Sequence, residues 1–149
     1  MTLPNKMRAM VTMGHGDLEQ MVLHENWPRP VPAADEVLIR VLACGLNNTD
    51  VNTRSGWYSK AVSEATTGSA FNKVSDEDPT WGGVPITFPR IQGADVCGEI
   101  VAVGTQVDPA RIGDRIITDN WLRDADDPSD KNKTGYFGSE RDGGFAEFT

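Results

Sequence analysis

Residues 42–58 read LACGLNNTDVNTRSGWY. An apolar run ending in Cys44-Gly45 gives way to Asn47, Asn48, Thr49 and Asp50, and then to Arg54, Trp57 and Tyr58. Amide and hydroxyl donors held at the end of a strand suit one kind of chemistry, the stabilisation of an oxygen that gains negative charge as it reacts. Each of these residues also has a plainer use. Asn47 is a preferred helix N-cap, and capping and donation are compatible. Asp50 can accept bonds from backbone groups or pair with Arg54. Asp95, further along, is a second carboxylate for which Arg54 is the candidate partner. Trp57 and Tyr58 either line a pocket mouth or cover one end of the fold.

The elements that would position these residues are mostly strands. Met7–Met13 and Leu18–His24 read as strands joined by a Gly14-His15-Gly16 turn. Trp27–Glu36 carries three prolines and reads as an extended connector. Glu36–Cys44, EVLIRVLAC, is the strongest strand, with both faces expected to be largely buried. Asn47–Ser55 has helical spacing and Gly56 can end it. Residues 59–85 lose periodicity and read as an insertion. Val96–Val103 and Gly113–Thr118 are further strands, and Gly143–Thr149 begins a last one. Residues 119–142 form a polar lobe with seven acids against four bases. Many short strands with glycine punctuation and little helix imply a mainly β fold, closed as a barrel or sandwich so that no edge is left open.

The chain has 149 residues, and residues 1–149 read as one domain. Its formal net charge of −8 disfavours nucleic acid or an anionic membrane surface as partner. The two cysteines, Cys44 and Cys97, are too few for a disulfide scaffold and read as small buried apolar groups. The N-terminus lacks the apolar core of a signal peptide and no stretch is long enough to span a bilayer, so a cytoplasmic location is expected. A dinucleotide fingerprint is missing: Gly14-His15-Gly16 has no third glycine and no helical pattern after it.

The ordered set DEVLIRVLACGLNNTD, RSGWY, FPRIQGADVCGEIVAVG, RIGDRIIT and GGFAEFT resembles the N-terminal catalytic domain of the medium-chain dehydrogenase/reductase family, which includes zinc alcohol dehydrogenases and zinc-free quinone oxidoreductases. The resemblance covers the chain apart from 59–85 and 119–142. It implies a GroES-like β-barrel with short helices and irregular insertions. It also implies an NADP or NAD cofactor, held mainly by a Rossmann domain that in the family follows in the same polypeptide. The assembly it allows is a homodimer or homotetramer. Taken alone, the 149 residues are expected to be inactive, as a piece of a longer chain.

In the zinc-dependent branch a ligand cysteine stands where this chain has Asn47, and a ligand histidine where it has Ala94. The four clustered cysteines of the structural zinc are absent from 119–142. An amide and a methyl group are no substitute for thiolate and imidazole, so no zinc is expected. Gly45, Asn47, Asp50, Arg54, Gly56 and Tyr58 match the zinc-free branch instead, although Asn52 replaces its usual tyrosine. Thr49 falls where the zinc enzymes relay the substrate proton. The resemblance therefore implies Asn47, Thr49 and Asp50 as catalytic residues and Trp57, Tyr58 and Asp95 as pocket residues. Asn47 and Asn48 would contact the nicotinamide half of the cofactor. The implied function is reduction of a quinone, enone, aldehyde or ketone. A zinc-dependent alcohol dehydrogenase domain and a non-catalytic GroES-like interaction module are the alternatives.

Overall fold

The computed structural model describes residues 2–59, 85–124, 126–130 and 133–149. Most of the 59–85 insertion and part of the 119–142 lobe lie outside the described residues. Strand β1 (Lys6–Thr12) is flanked by β2 (Met21–Pro28) and β4 (Arg90–Ile91), all antiparallel. Strands β3 (Val37–Gly45), β5 (Asp95–Val103) and β6 (Arg115–Ile117) make a second antiparallel sheet in that order. Between them in sequence lies the helix α1 (Asn48–Arg54), and β7 (Trp121–Leu122) pairs with β8 (Gly135–Tyr136) as a small separate ribbon. The fold is mainly β and GroES-like.

Several expectations change in detail. No closed barrel forms among the described residues; the two larger sheets are joined by the final segment. Residues 143–149 are not a regular strand, but they act as a seam. Met10 N–H donates to Phe145 O at 2.8 Å and Glu147 N–H to Arg8 O at 3.1 Å, on β1. Ile39 and Thr149 exchange two backbone bonds at 2.8 and 3.0 Å, on β3. Gly143, Gly144 and Phe145 donate to Ile91, Gly93 and Gln92. The seam thus satisfies polar edges of both sheets, which closure of a barrel would otherwise do.

Strand β2 begins later than its alternation suggested. Asp17 caps a short 3-10 turn, Leu18–Gln20, by accepting the Leu18 N–H at 2.8 Å. The strand then runs into Trp27-Pro28, which is tolerated because β2 pairs only with β1 and Pro28 sits on an edge. Strand β3 is not buried on both faces. Leu38 and Ile39 are buried, whereas Leu42 is 52% exposed, because burial is confined to the start of the strand. The cysteines are half-buried, not fully buried.

The core is Met7, Ala9, Val11, Leu38, Ile91 and Phe148, with Trp27, Val101, Phe145 and Ala146 packed against it. These side chains come from β1, β3, β4 and the C-terminal seam, so Phe148 couples the seam's hydrogen bonds to apolar burial. Phe148→Ala should therefore destabilise the domain by about 3 kcal/mol or more. Urea denaturation of the two proteins checks this, with the midpoint falling and the slope unchanged.

Candidate active site

Strand β3 delivers the chain to Gly45, and α1 begins three residues later. Asn47 is the N-cap, with extended φ and ψ. Its Oδ1 accepts the Thr49 N–H at 3.3 Å, while Asp50 Oδ2 accepts the Asn47 N–H at 2.9 Å. This reciprocal capping box satisfies two backbone donors that the start of a helix leaves open. It also fixes the bend that carries Asn47, Thr49 and Asp50.

Asp50 reaches further. Its Oδ1 accepts the Gly93 N–H at 3.1 Å, and its own carbonyl oxygen accepts from Gln92 Nε2 at 3.0 Å. Gln92 is buried and takes a hydrogen bond from Thr12 Oγ1 at 2.9 Å. The Asp50 side chain therefore ties α1 to the turn before β5, and its backbone carbonyl ties α1 through Gln92 to β1. Gly93 has φ +97°, a conformation that favours glycine, and a Cβ there would meet Cys44 Sγ at 2.7 Å. Burial raises the Asp50 carboxyl above the usual aspartate range; the Asn47 and Gly93 N–H groups pull it down and nearby Asp95 pushes it up. Burial, with Asp50 and Asp95 alongside, pushes the Cys44 thiol up to about 11, so Cys44 is held as an unreactive thiol at neutral pH.

Asn47, Thr49 and Asp50 line one cavity of about 120 Å³. Ala94, at the position of the zinc branch's histidine, borders the same cavity. Thr53 and Gln92 also border it, and the rest of the lining comes from the C-terminal lobe: Asn120, Trp121, Tyr136, Phe137, Gly138 and Ser139. Thr49 Oγ1 makes no hydrogen bond among the described residues. The residues present do not fit a catalytic zinc. Asn47 and Ala94 offer no soft donor, and no grouping of three His, Cys, Asp or Glu occurs among the described residues.

Other predicted residues fall outside this lining. Asp95 is exposed and accepts from Asn47 Nδ2 at 3.2 Å. Asn48 is exposed at the start of α1. Trp57 and Tyr58 pack edge to face, with ring centroids 5.6 Å apart, and Tyr58 Oη takes a long 3.4 Å bond from Asn52. Arg54 pairs with neither Asp50 nor Asp95. It is buried against the β1–β2 turn, where it donates to the Gly16 carbonyl and lies 3.8 Å from Asp17. Reading along the sequence missed that pairing because the turn is 38 residues away. A larger cavity of about 590 Å³ is bordered by Trp27, Arg29, Glu36, Arg111, Arg141 and Phe148, and none of the predicted site residues touches it.

Sequence reasoning also missed Asn120, Tyr136 and Ser139. Tyr136 is buried, its ring 4.5 Å from that of Trp121, and burial raises its phenol further above the ordinary value. The one local signal was the pair of glycines, Gly138 and Gly143, that lets this lobe approach Gly93. Gly138 has φ +82°, and a Cβ on it would meet Gly93 N at 2.8 Å.

The alcohol dehydrogenase GroES-like domain model matches residues 33–149, most of the chain and every strand of the β3–β5–β6 sheet. This chain belongs to that family. Human quinone oxidoreductase is 31% identical over 116 residues, covering 78% of the chain and 28% of that protein. An NAD-dependent alcohol dehydrogenase of Sulfolobus acidocaldarius is 26% identical over 118 residues, covering 79% of the chain and 28% of its own length. A solved candidate alcohol dehydrogenase from Sinorhizobium meliloti 1021 is 43% identical with a TM-score of 0.76, over 99% of this chain and 38% of that one. The GroES-like domain thus spans just over a quarter of the two curated relatives. No helix among the described residues is long and apolar enough to cross a membrane.

The sign of the Asp50 effect follows from its raised value. A carboxyl that binds its proton more tightly when folded favours the folded state at low pH, and that contribution is lost as pH rises through the folded value. A ¹³C NMR titration should place the Asp50 midpoint above the ordinary value of about 3.9. Asp95→Asn should move it part of the way back, because burial is the larger cause. A midpoint at or below the ordinary value would contradict this geometry.

Proposed function

We propose that this domain is the catalytic portion of an NADPH- or NADH-dependent, zinc-independent oxidoreductase that reduces a quinone, enone, aldehyde or ketone. The single observation that carries the proposal is the lining of the small cavity. The two positions at which the zinc branch has ligands hold Asn47 and Ala94, and Thr49, whose hydroxyl makes no hydrogen bond among the described residues, lines the same space. The oxidoreductase relatives support the reaction class, and their greater length supports a nucleotide-binding Rossmann domain elsewhere in the polypeptide. We place the protein in the cytoplasm and its assembly as a homodimer or homotetramer on the family resemblance.

The nicotinamide cofactor, when bound, supplies the hydride. The domain's own task is to polarise the carbonyl and hold the developing charge. Thr49 Oγ1 donates a hydrogen bond to the reacting oxygen. The Asn47 amide has two N–H groups, of which one is held by Asp95, and the second is available to the substrate or the nicotinamide carboxamide. Asp50 is a positioning residue: it fixes Asn47 and Thr49 through the capping box and Gly93 and makes no demand on the substrate. Asn48, exposed beside the cap, and Trp57 and Tyr58, beyond α1, serve the cofactor face and the pocket mouth.

Fixed donors of this kind contribute rate because they need no rearrangement as charge forms. In the complete polypeptide Thr49→Val should lower kcat roughly 100-fold with little change in KM, and Thr49→Ser should retain most of it. Asn47→Ser should keep the cap while losing part of the rate; Asn47→Ala should also lose about 1 kcal/mol of stability. Steady-state kinetics beside metal analysis checks the reading. Stoichiometric zinc whose removal abolishes turnover, or full activity in Thr49→Val, would overturn it.

A further inference from the structure

Two buried side chains join the turn that carries Thr49 to β1. Thr12 is fully buried, and its Oγ1 donates to Gln92 Oε1 at 2.9 Å. Gln92 is 1% exposed, and its Nε2 donates to the Asp50 carbonyl oxygen at 3.0 Å. The direction of this chain is fixed at the α1 end. A backbone carbonyl only accepts, so the NH2 end of the Gln92 amide must face it. The amide oxygen is thereby turned toward Thr12, whose hydroxyl supplies its hydrogen bond.

Both anchors of the chain are held by sheet and seam. Thr12 lies on the middle strand of its sheet, in register with Met21 on β2 and Arg90 on β4. Gln92 follows β4 directly, and its carbonyl oxygen takes the Phe145 N–H of the C-terminal seam at 2.9 Å. Helix α1 is the part left to settle, since seven residues have little helical stability of their own. The Asp50 carboxylate bond to the Gly93 N–H restrains it through rotatable side-chain bonds, whereas the Gln92 bond holds the backbone itself. Two attachments, from the adjacent residues 92 and 93, fix the rotation of the first turn as well as its distance. Thr49 is the neighbouring residue in that turn, so the seat of the Asp50 backbone sets where the Thr49 hydroxyl stands.

We propose that Gln92 and Thr12 are positioning residues for the reduction. The pair sets the height of the first turn of α1, and with it the reach of Thr49 to the reacting oxygen. The proposal rests on the reading of Thr49 as the donor to that oxygen. Such a donor acts at about 2.7–3.1 Å from the developing charge. A displacement of about 1 Å caused by a change far from the chemistry can cost on the order of 100-fold in rate. Gln92 borders the small cavity, but Thr12 borders neither that cavity nor the large one, so an effect of its hydroxyl on turnover passes through Gln92.

The test is a set of substitutions in the complete polypeptide. Each is assayed with NADPH and NADH on 1,4-benzoquinone and benzaldehyde, at a temperature at which circular dichroism shows the variant folded. Thr12→Val keeps the shape and removes the donor; it should lower kcat about tenfold and leave KM within about twofold. Thr12→Ser keeps the donor and removes a buried methyl; it should melt earlier and yet hold kcat near wild type. Gln92→Met should lower kcat at least as far as Thr12→Val, and adding Thr12→Val to it should lower kcat no further. A kcat that follows the melting temperature across the set, a loss in KM alone, or additive effects would overturn the proposal. Should Thr12→Val not fold, Gln92→Met against Thr12→Ser makes the same comparison. If wild type reduces neither compound, the oxidoreductase reading fails separately. The Thr49 amide resonance then decides the role of the pair: displacement in Thr12→Val with recovery in Thr12→Ser supports it, and an unmoved resonance overturns it.

Discussion

The Asp50 carboxylate is the constraint on which the site depends. Its two oxygens take one N–H from the start of α1 and one from Gly93, so a seven-residue helix is locked to the turn before β5. A helix this short has little stability of its own. That bridge, with the Asn47 Nδ2 bond to Asp95, holds Asn47 and Thr49 in a fixed relation to Ala94. The burial that raises the Asp50 carboxyl follows from its position between two elements, and the two donated bonds offset part of the cost of keeping it charged there. Gln92 extends the same connection to Thr12 on β1, which is why the site is coupled to both sheets.

The C-terminal seam does at the scale of the fold what Asp50 does at the scale of the site. It bonds to β1, to β3 and to the residues flanking Gly93, and its Phe148 enters the core. The seam follows the lobe that carries Tyr136 and Ser139. The cavity is consequently framed by two distant stretches of sequence, 47–53 and 120–139, whose separation is set by glycines that allow backbone to meet backbone at Gly93. A side chain added at Gly138 or Gly143 would push one wall from the other.

Local features of the sequence were legible and contacts at a distance were not. The capping box is an i, i+3 pattern, so Asn47 and Asp50 announce the start of α1 without knowledge of the fold. The strand runs were equally readable, because apolar alternation is local. Burial of β3 was not: apolar composition does not reveal that the strand is buried at its start and exposed at Leu42. Arg54 was legible as a partner for a carboxylate, Asp50 or Asp95, yet its partners lie in the β1–β2 turn. Ser139 was hidden for a stronger reason. Serine in a polar lobe is ordinary, and only the close approach of the lobe to Gly93 buries this hydroxyl without a partner among the described residues. The resemblance to a known family gave the domain and the pocket bend, and contributed little about the lobe, where the family pattern departs from this chain.

The central claim is that a neutral hydroxyl in the bend after β3 polarises the substrate oxygen without a metal ion. Isotope-edited infrared difference spectroscopy of a ¹³C-labelled carbonyl substrate bound to the metal-depleted complete polypeptide reads this polarisation directly. The account predicts a carbonyl stretch displaced to lower frequency in the wild type and returned most of the way to its solution value in Thr49→Val. A displacement that disappears on metal depletion and survives Thr49→Val would contradict it.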